Sequence, residues 1–206
     1  MTHWIKEITL TGTNIELVPL KAEHASAFSN AAADGELWKL WYTHVPTPEN
    51  TRDFIQDALI AKQNNGDLPF VIRDIKSQKI IGATRYCHVD NHHKRVEIGY
   101  TWYSKSFQRT GANTECKLLL LTHAFEQLNA IAVEFRTHWF NQQSRVAILR
   151  LGAKQDGVLR NHQQLKDGSL RDTVVFSIIK SEWPCVKKHL TEKPKDMTQN
   201  LYLPLD

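Results

Sequence analysis

The sequence is poor in the features that mark secreted, membrane-spanning or zinc-knuckle proteins. It has three cysteines, Cys87, Cys116 and Cys185, whose odd number and wide spacing support neither a disulfide framework nor a zinc knuckle. No stretch approaches the roughly 20 apolar residues of a membrane helix. Residues 1–10 contain no long apolar run and no small-residue cleavage site, so we expect no secretory signal and a cytoplasmic protein.

A concentrated block of positive charge is also missing. The net charge is +4, but the 26 Lys and Arg residues are scattered along the chain, which suits an anionic ligand and makes a nucleic-acid partner unlikely. No internal repeat or linker is visible, and the chain is 206 residues long with 41% hydrophobic residues. These properties predict one domain over residues 1–190 and an irregular tail over 191–206.

Hydrophobic periodicity predicts a mixed α/β fold. Helices are expected at residues 22–41 with a break at Gly35, from Thr47 to Gly66, after Gly111 for about 17 residues, and at 141–151. Strands are expected at 14–19, 70–73, 80–89, 96–103, 131–139, 157–162 and 170–179, and the last two form a hairpin that turns at Asp167-Gly168.

Two of these strands are joined by a long helix, so the strand at 131–139 should be parallel to its neighbour. In the strand 96–103, the apolar Val96, Ile98, Tyr100 and Trp102 alternate with other residues. Strict alternation would put Glu97 on the face opposite Val96 and Ile98.

The loop between the strand 96–103 and the long helix carries the strongest chemical signal. Its residues 108–114 read Q-R-T-G-A-N-T. The free amides and dipole of a helix N-terminus attract a diphosphate, and Gly111 with Ala112 permits close approach. Arg109 adds positive charge and Thr114 a hydroxyl. Taken alone, such a pattern is more often an ordinary helix cap than an anion site.

The order of these elements resembles the GNAT N-acetyltransferases, and in particular their RimJ/RimL-like branch. The resemblance runs from about residue 10 to 190 and is most specific over residues 97–153. It implies a mostly antiparallel sheet, flanked by helices and splayed between its fourth and fifth strands (96–103 and 131–139), with acetyl-CoA in the gap. The sequence departs from the family pattern at Asn113 and Ala153. Since Asn tolerates a left-handed backbone, we expect the turn to survive.

The same resemblance assigns the catalytic and coenzyme-binding residues. Glu97 would accept the proton of the amine, directly or through water, and Ser144 would donate to the coenzyme sulfur. Asn141 would bind the pantetheine arm or a water. Alternatively, Glu97 pairs with an arginine on a neighbouring strand, Arg85 or Arg95, and Asn141 merely caps its helix. The implied coenzyme-binding residues are Ile98, Tyr100, Gln108, Arg109, Thr110, Gly111, Ala112, Asn113, Thr114 and Asn141.

The acceptor site is expected at the aromatic residues Trp38, Trp41 and Tyr42, with His44, opposite the coenzyme loop. Alternatively these residues are core, since aromatics at helical spacing are more often core than recognition surface. The ten histidines show no convincing ligand spacing with carboxylates, so no metal is expected.

The predicted function is acetyl transfer from acetyl-CoA to a primary amine, either a protein N-terminus or a small amine. The alternative is a non-catalytic acyl-CoA-binding or regulatory module. The sequence does not identify the acceptor, and it is compatible with a homodimer.

Overall fold

A computed structural model of the chain describes residues 4–165 and 167–192. One sheet of eight strands forms its frame, in the spatial order β1-β2-β3-β4-β5-β6-β8-β7. The strands are β1 Leu10–Thr11, β2 Ile15–Pro19, β3 Leu68–Asp74, β4 Ile80–Asp90, β5 Arg95–Tyr103, β6 Ala132–His138, β7 Lys154–Gln164 and β8 Leu170–Ile179. The helices are α1 Ala25–Ala33, α2 Thr51–Asn65, α3 Ala112–Thr122, α4 Gln142–Leu149 and α5 Trp183–Thr191, and a π-helical turn, His123–Gln127, extends α3.

The predicted mixed α/β class is confirmed, and so is the hairpin formed by β7 and β8. The first predicted strand, 14–19, corresponds to β2, and β1 is an additional short strand that pairs with it because the chain turns back at Gly12. None of the helices in the described ranges is long and apolar enough to cross a membrane.

The pairing between β5 and β6 stops early. These strands run parallel, as predicted, and pair over only three positions, the last being Glu97 with Glu134. Beyond that point the described residues of β5 and β6 make no pairs with each other, and the sheet opens into a wedge. The other strand pairs are antiparallel. The predicted splay is therefore confirmed.

A bulge in β5 corrects the predicted alternation of its side chains. Tyr100 has a left-handed φ of 52°, and the register between β4 and β5 shifts beside it. After the bulge, Tyr103 packs in the same core cluster as Val96 and Ile98. Trp102, predicted to share their face, belongs instead to the cluster on the opposite face.

The first helical region is shorter than predicted. Of the predicted residues 22–41, α1 covers only Ala25–Ala33, and Gly35, the predicted break, has a left-handed φ of 93°. Glycine is required there, because a Cβ would lie 2.5 Å from the Cβ of Lys105. Thr47, predicted to cap α2, instead accepts a hydrogen bond from the amide of Asn50 in the turn before that helix.

The two faces of the sheet are covered by different helices. The larger core cluster includes residues of α3, α5 and the π-helical turn, and the smaller includes residues of α1 and α2. Helix α5 has no counterpart among the predicted elements. Its Trp183 stacks on Phe125 at 5.3 Å, and its last residue, Thr191, was assigned to the tail. Residues 193–206 of that predicted tail lie outside the described residues.

Candidate active site

The coenzyme loop, residues 108–114, lies where β5 ends and α3 begins. Arg109 and Gly111 both have left-handed backbones, with φ of 63° and 91°. The amides of Ala112, Asn113 and Thr114 lie in the first turn of α3, where no intrahelical carbonyl reaches them. A Cβ added at Gly111 would meet no atom within 4 Å, so the space in front of this glycine is open. The loop therefore offers backbone donors and free space to an anion.

Two expectations about this loop change. Asn113, expected to take a left-handed turn, lies inside α3, and the left-handed positions are Arg109 and Gly111. Gln108 is tied back to the strand, because its Nε2 donates to the carbonyl of Tyr103 at 3.2 Å. The hydroxyl of Thr110 donates to Phe107 O at 2.8 Å, so the loop is held by its own hydrogen bonds.

Asn141 caps α4, as the simpler alternative predicts. Its Oδ1 accepts a hydrogen bond from the amide of Ser144 at 3.0 Å. Within the described ranges no hydrogen bond or ion pair joins Glu97 to either residue. The predicted roles of Asn141 and Ser144 toward the coenzyme stay predictions.

Glu97 is buried, with 6% of its surface exposed, and it is the last residue of β5 that pairs with β6. Its Oε2 lies 2.8 Å from Nδ1 of His88 and 3.3 Å from Nε of Arg136. The Arg136 contact is an ion pair only, because its geometry is not that of a hydrogen bond. The predicted alternative partners were wrong, since Arg85 pairs with Asp67 and Arg95 with Glu134.

His88 reaches Glu97 because the end of β4 is irregular. In a regular strand, His88 would face away from its neighbour Cys87, which is paired with Glu97. Its left-handed φ of 47° and a register shift instead turn the imidazole toward the carboxylate. The hydrogen bond to Glu97 raises the pKa of His88. The sequence carries no signal for this contact.

Cys87, His88 and Glu97 also bring three potential metal-ligand atoms within 4.8 Å of one another. The guanidinium beside Glu97 opposes a cation there. Burial also raises the pKa of the Cys87 thiol, followed by the charge of Glu97, so the thiolate ligand is disfavoured. We assign no metal to this cluster.

The charged face is the set of ionised side chains beside Glu97 on β4, β5, β6 and β8. Neighbouring strands supply its carboxylates and guanidiniums in pairs. Arg136 bridges two carboxylates, since it also lies 3.0 Å from Glu134. Its members are Arg85, Arg95, Glu97, Glu134, Arg136 and Arg171, together with Asp67, which immediately precedes β3.

A buried lysine lies in the wedge itself. Lys117, on α3, is 5% exposed, and its Nζ donates to the hydroxyl of Thr101 on β5 at 2.6 Å. The same nitrogen lies 5.9 Å from the centre of the Phe135 ring on β6. Burial lowers the pKa of Lys117 to about 8. A lysine that is buried between two splayed strands was not among the predicted site residues.

The aromatic segment, residues 38–44, divides between core and surface. Trp38 packs against the smaller core cluster. Trp41 is 59% exposed, and its ring lies 4.9 Å from His138, 5.6 Å from Tyr42 and 6.0 Å from Phe140. The core alternative is therefore wrong for Trp41.

The aromatic segment was predicted to lie opposite the coenzyme loop. It lies beside that loop instead. Tyr42, Gln108 and Gln143 line one cavity of 280 Å³, which joins the aromatic segment, the coenzyme loop and α4. Just before the segment, Asp34 accepts hydrogen bonds from the amides of Lys105 and Ser106. A larger cavity of 640 Å³ between α1 and β2 to β4 is lined by none of the predicted site residues.

Residues 14–154, more than half of the chain, match the family model of the acetyltransferase (GNAT) domain. The matched segment contains the wedge, Glu97 and the coenzyme loop. The chain therefore belongs to the GNAT acetyltransferase family, and the predicted class, an acetyl-CoA-dependent acetyltransferase, is confirmed.

Two relatives have names that describe acetyltransferases, and the name of the second is consistent with the predicted RimJ/RimL-like branch. A structure from T. thermophilus, provisionally described as an acetyltransferase, is 35% identical, covers 91% of this chain and 97% of its own, and has a TM-score of 0.79. YdaF of Bacillus subtilis strain 168, provisionally named a ribosomal N-acetyltransferase, is 32% identical over 104 residues, or 50% of this chain and 56% of YdaF.

A third relative supports the fold alone. RimL, a ribosomal L7/L12 alpha-N-protein acetyltransferase solved with coenzyme A, is 19% identical over 84% of this chain and 98% of its own, with a TM-score of 0.71.

Proposed function

We propose that the protein transfers the acetyl group of acetyl-CoA to the primary amine of a protein N-terminus or a small molecule, with Glu97 as the general base. One observation carries the proposal. Glu97 occupies the vertex of the wedge in the sheet, and the coenzyme loop follows the open end of the same strand. The name of YdaF, a ribosomal N-acetyltransferase, supports a protein as the acceptor.

The residues present fit the coenzyme. The first amides of α3 and the open space at Gly111 suit its diphosphate, and Arg109 adds charge. The wedge between β5 and β6 would take the pantetheine arm, beside Ile98 and Tyr100. Asn141 and Ser144, at the start of α4, would contact that arm and its sulfur.

The chemistry asked of Glu97 is removal of one proton from the attacking amine. His88 and Arg136 both contact Oε2 of Glu97, and no hydrogen bond to Oε1 is made within the described residues. Gly99 leaves room at this oxygen, since a Cβ there would lie only 3.0 Å from it. Oε1 is thus the atom that would receive the proton, directly or through water.

The amine nitrogen then bonds to the acetyl carbon, and the carbon–sulfur bond breaks. The departing thiolate takes up a proton, which Ser144 would donate while it regains one from solvent, and the proton taken by Glu97 returns to solvent. Because a free thiol has a pKa of about 8.5, the thiolate leaves readily and this donation contributes little.

Coenzyme binding and turnover are tested separately. Saturating CoA should raise the melting temperature, equivalent to about 2.7 kcal/mol at a hundredfold excess over Kd. Gly111→Val should abolish the shift, because valine is strained at this φ and fills the open space. A wild-type protein whose melting point ignores CoA would contradict the coenzyme site.

Turnover is measured as release of free CoA thiol with a panel of primary amines, including N-terminal peptides of ribosomal proteins. Release that depends on an added amine supports the transferase. If CoA binds and no amine accelerates thiol release, a non-catalytic acyl-CoA-binding module is the better description.

The remaining proposals concern context. We propose a single domain over residues 1–190 and a cytoplasmic location. We also propose a homodimer, and size-exclusion chromatography with light scattering would test this oligomeric state.

A further inference from the structure

The charged face contains one guanidinium more than its carboxylates can pair. Arg85 contacts Asp67, Arg95 contacts Glu134, and Arg136 contacts both Glu97 and Glu134. The three carboxylates, Asp67, Glu97 and Glu134, are thus all paired with the first three arginines. The fourth arginine, Arg171 on β8, has no carboxylate within ion-pair distance anywhere in residues 4–165 and 167–192.

Arg171 is nevertheless buried, with 9% of its surface exposed. Its Nε donates to the hydroxyl of Thr173 at 3.1 Å, and its Nη1 lies 3.2 Å from Nε2 of His44. Burial lowers the pKa of Arg171, while the more distant charge of Glu97 favours its charged form. A buried guanidinium that contacts only neutral oxygen and imidazole groups is costly unless a ligand supplies the anion.

A second buried donor lies beside it. His138 is paired across the sheet with Thr173 and is 3% exposed. Its Nδ1 accepts a hydrogen bond from the amide of Phe140, which leaves the proton on Nε2. That Nε2 has no hydrogen-bond partner among the described residues. Burial, followed by the charge of Arg171, lowers the pKa of His138 and keeps the ring neutral.

These donors adjoin the proposed acceptor site. His138 packs against Trp41, and His44, which contacts Arg171, belongs to the aromatic segment. Arg136, which contacts Glu97, lies two residues before His138 on β6, so the two side chains face the same side of the sheet. A molecule that presents its amine to Glu97 can therefore place a second group near Arg171.

We propose that the acceptor carries a carboxylate beside its amine, and that Arg171, assisted by Nε2 of His138, binds that carboxylate. The planar fork of a guanidinium matches two carboxylate oxygens. The carboxylate could be the α-carboxylate of a free amino acid or the side chain of an acidic residue near a polypeptide N-terminus. This inference rests on the proposed function, because the amine is the one that Glu97 deprotonates.

Two matched pairs of acceptors test the proposal and separate the sources. The first pair is phenylalanine and phenylalaninamide; the second is the peptides Ser-Asp-Phe-amide and Ser-Asn-Phe-amide. In one pair at least, the carboxylate member should have the higher kcat/KM by about 10- to 100-fold, the usual worth of a hydrogen-bonded ion pair. Equal kcat/KM within both pairs would overturn the proposal.

Arg171→Gln should abolish the preference by lowering kcat/KM for the carboxylate member alone. Arg171→Lys, which keeps the charge without the fork, should retain part of it. Arg160→Gln is the matched control, because Arg160 is exposed and pairs with Asp172. If Arg171→Gln still prefers the carboxylate member of the pair, the proposal is refuted.

A binding measurement makes the test independent of turnover. With CoA present, N-acetylphenylalanine or N-acetyl-Ser-Asp-Phe-amide should raise the melting temperature of the wild type more than its uncharged counterpart, and Arg171→Gln should lose this difference. If neither carboxylate product has this effect, the inference fails even where amide acceptors are acetylated, which would leave the proposed function standing. Absence of CoA binding and of all acetyl transfer would instead refute the proposed function.

Discussion

The proposed coenzyme half of the cleft and its proposed acceptor half are built from different parts of the chain. Residues 108–114 form the coenzyme loop as one continuous segment, and they offer mainly backbone amides and a left-handed turn at Gly111. The acceptor half uses side chains from β4, β5, β6 and β8 together with the aromatic segment. Backbone donors suit a diphosphate that every reaction cycle shares, whereas side chains can be tuned to one acceptor.

The halves meet at two places. Glu97 occupies the vertex of the wedge, and the 280 Å³ cavity joins Tyr42 of the aromatic segment to Gln108 of the coenzyme loop. Variants on either side of these meeting points should therefore separate binding of acetyl-CoA from binding of the amine. A variant at the 280 Å³ cavity, which both halves line, should instead affect binding of acetyl-CoA and of the amine together.

The largest effect on the rate of acetyl transfer is expected from a substitution at the vertex of the wedge. Glu97→Gln should lower the rate of acetyl transfer by about 10²–10⁴-fold, the usual worth of a positioned general base, while the Kd for CoA stays nearly unchanged. The loss should be smallest at high pH, where the amine is already neutral. Kinetics across pH and calorimetry with CoA measure the two quantities.

Glu134→Gln is the control for this variant, because Glu134 is the neighbouring carboxylate in the register and also contacts Arg136. We expect it to lose far less activity. Equal losses in the two variants, or a parallel loss of CoA binding in Glu97→Gln, would indicate structural damage instead of a missing base.

A smaller effect is expected inside the wedge, from Lys117→Met. At pH 7 the folded state holds a buried ammonium whose pKa has fallen from 10.5 to about 8. The variant should therefore raise the free energy of unfolding by about 1–3 kcal/mol. If Lys117 also serves the coenzyme, the KM for acetyl-CoA should rise while that of the amine stays unchanged.

The sign of the pH dependence follows from the lowered pKa. Between about pH 8 and 10.5 the unfolded chain binds a proton at Lys117 that the folded state has released, so wild-type stability should rise with pH across this window. Denaturant unfolding at pH 7 and 10 should show that this gain is missing in Lys117→Met. The exposed Lys188→Met should keep the wild-type slope, and an unchanged slope in Lys117→Met would contradict the assignment.

The smallest effect is expected at the rim of the acceptor half. Trp41→Ala removes a largely exposed ring that packs against three others, so stability should fall by about 1 kcal/mol and not by the amount typical of a core tryptophan. The KM of the amine should rise about 2- to 10-fold by loss of cation–π attraction to its ammonium. Steady-state kinetics beside thermal unfolding check both values.

Tyr42→Ala sharpens this comparison, because Tyr42 shares a cavity with Gln108. It should raise the KM for acetyl-CoA as well as that for the amine. A folded Trp41→Ala protein with unaltered amine kinetics would remove the aromatic segment from the acceptor site.

Much of the fold could be predicted, because its signals are local. The parallel pairing of β5 and β6, the breaks at Gly35 and Gly66, and the hairpin at Asp167-Gly168 follow from periodicity and turn residues. The errors arose where local irregularities intervene. Tyr100 and His88 both adopt left-handed backbones that their residue types do not announce, and each changes which side chains face Glu97 or the core.

The fold class, the glycine turn that opens α3 and the position of Glu97 on a strand could all be predicted from the sequence, because each depends on residues that are close together in the chain. The partners of Glu97, the burial of Lys117 and the unpaired charge of Arg171 become visible only in the folded chain. These depend on residues brought together from different strands, and the balance of charges in a buried site cannot be counted until the strands are placed side by side.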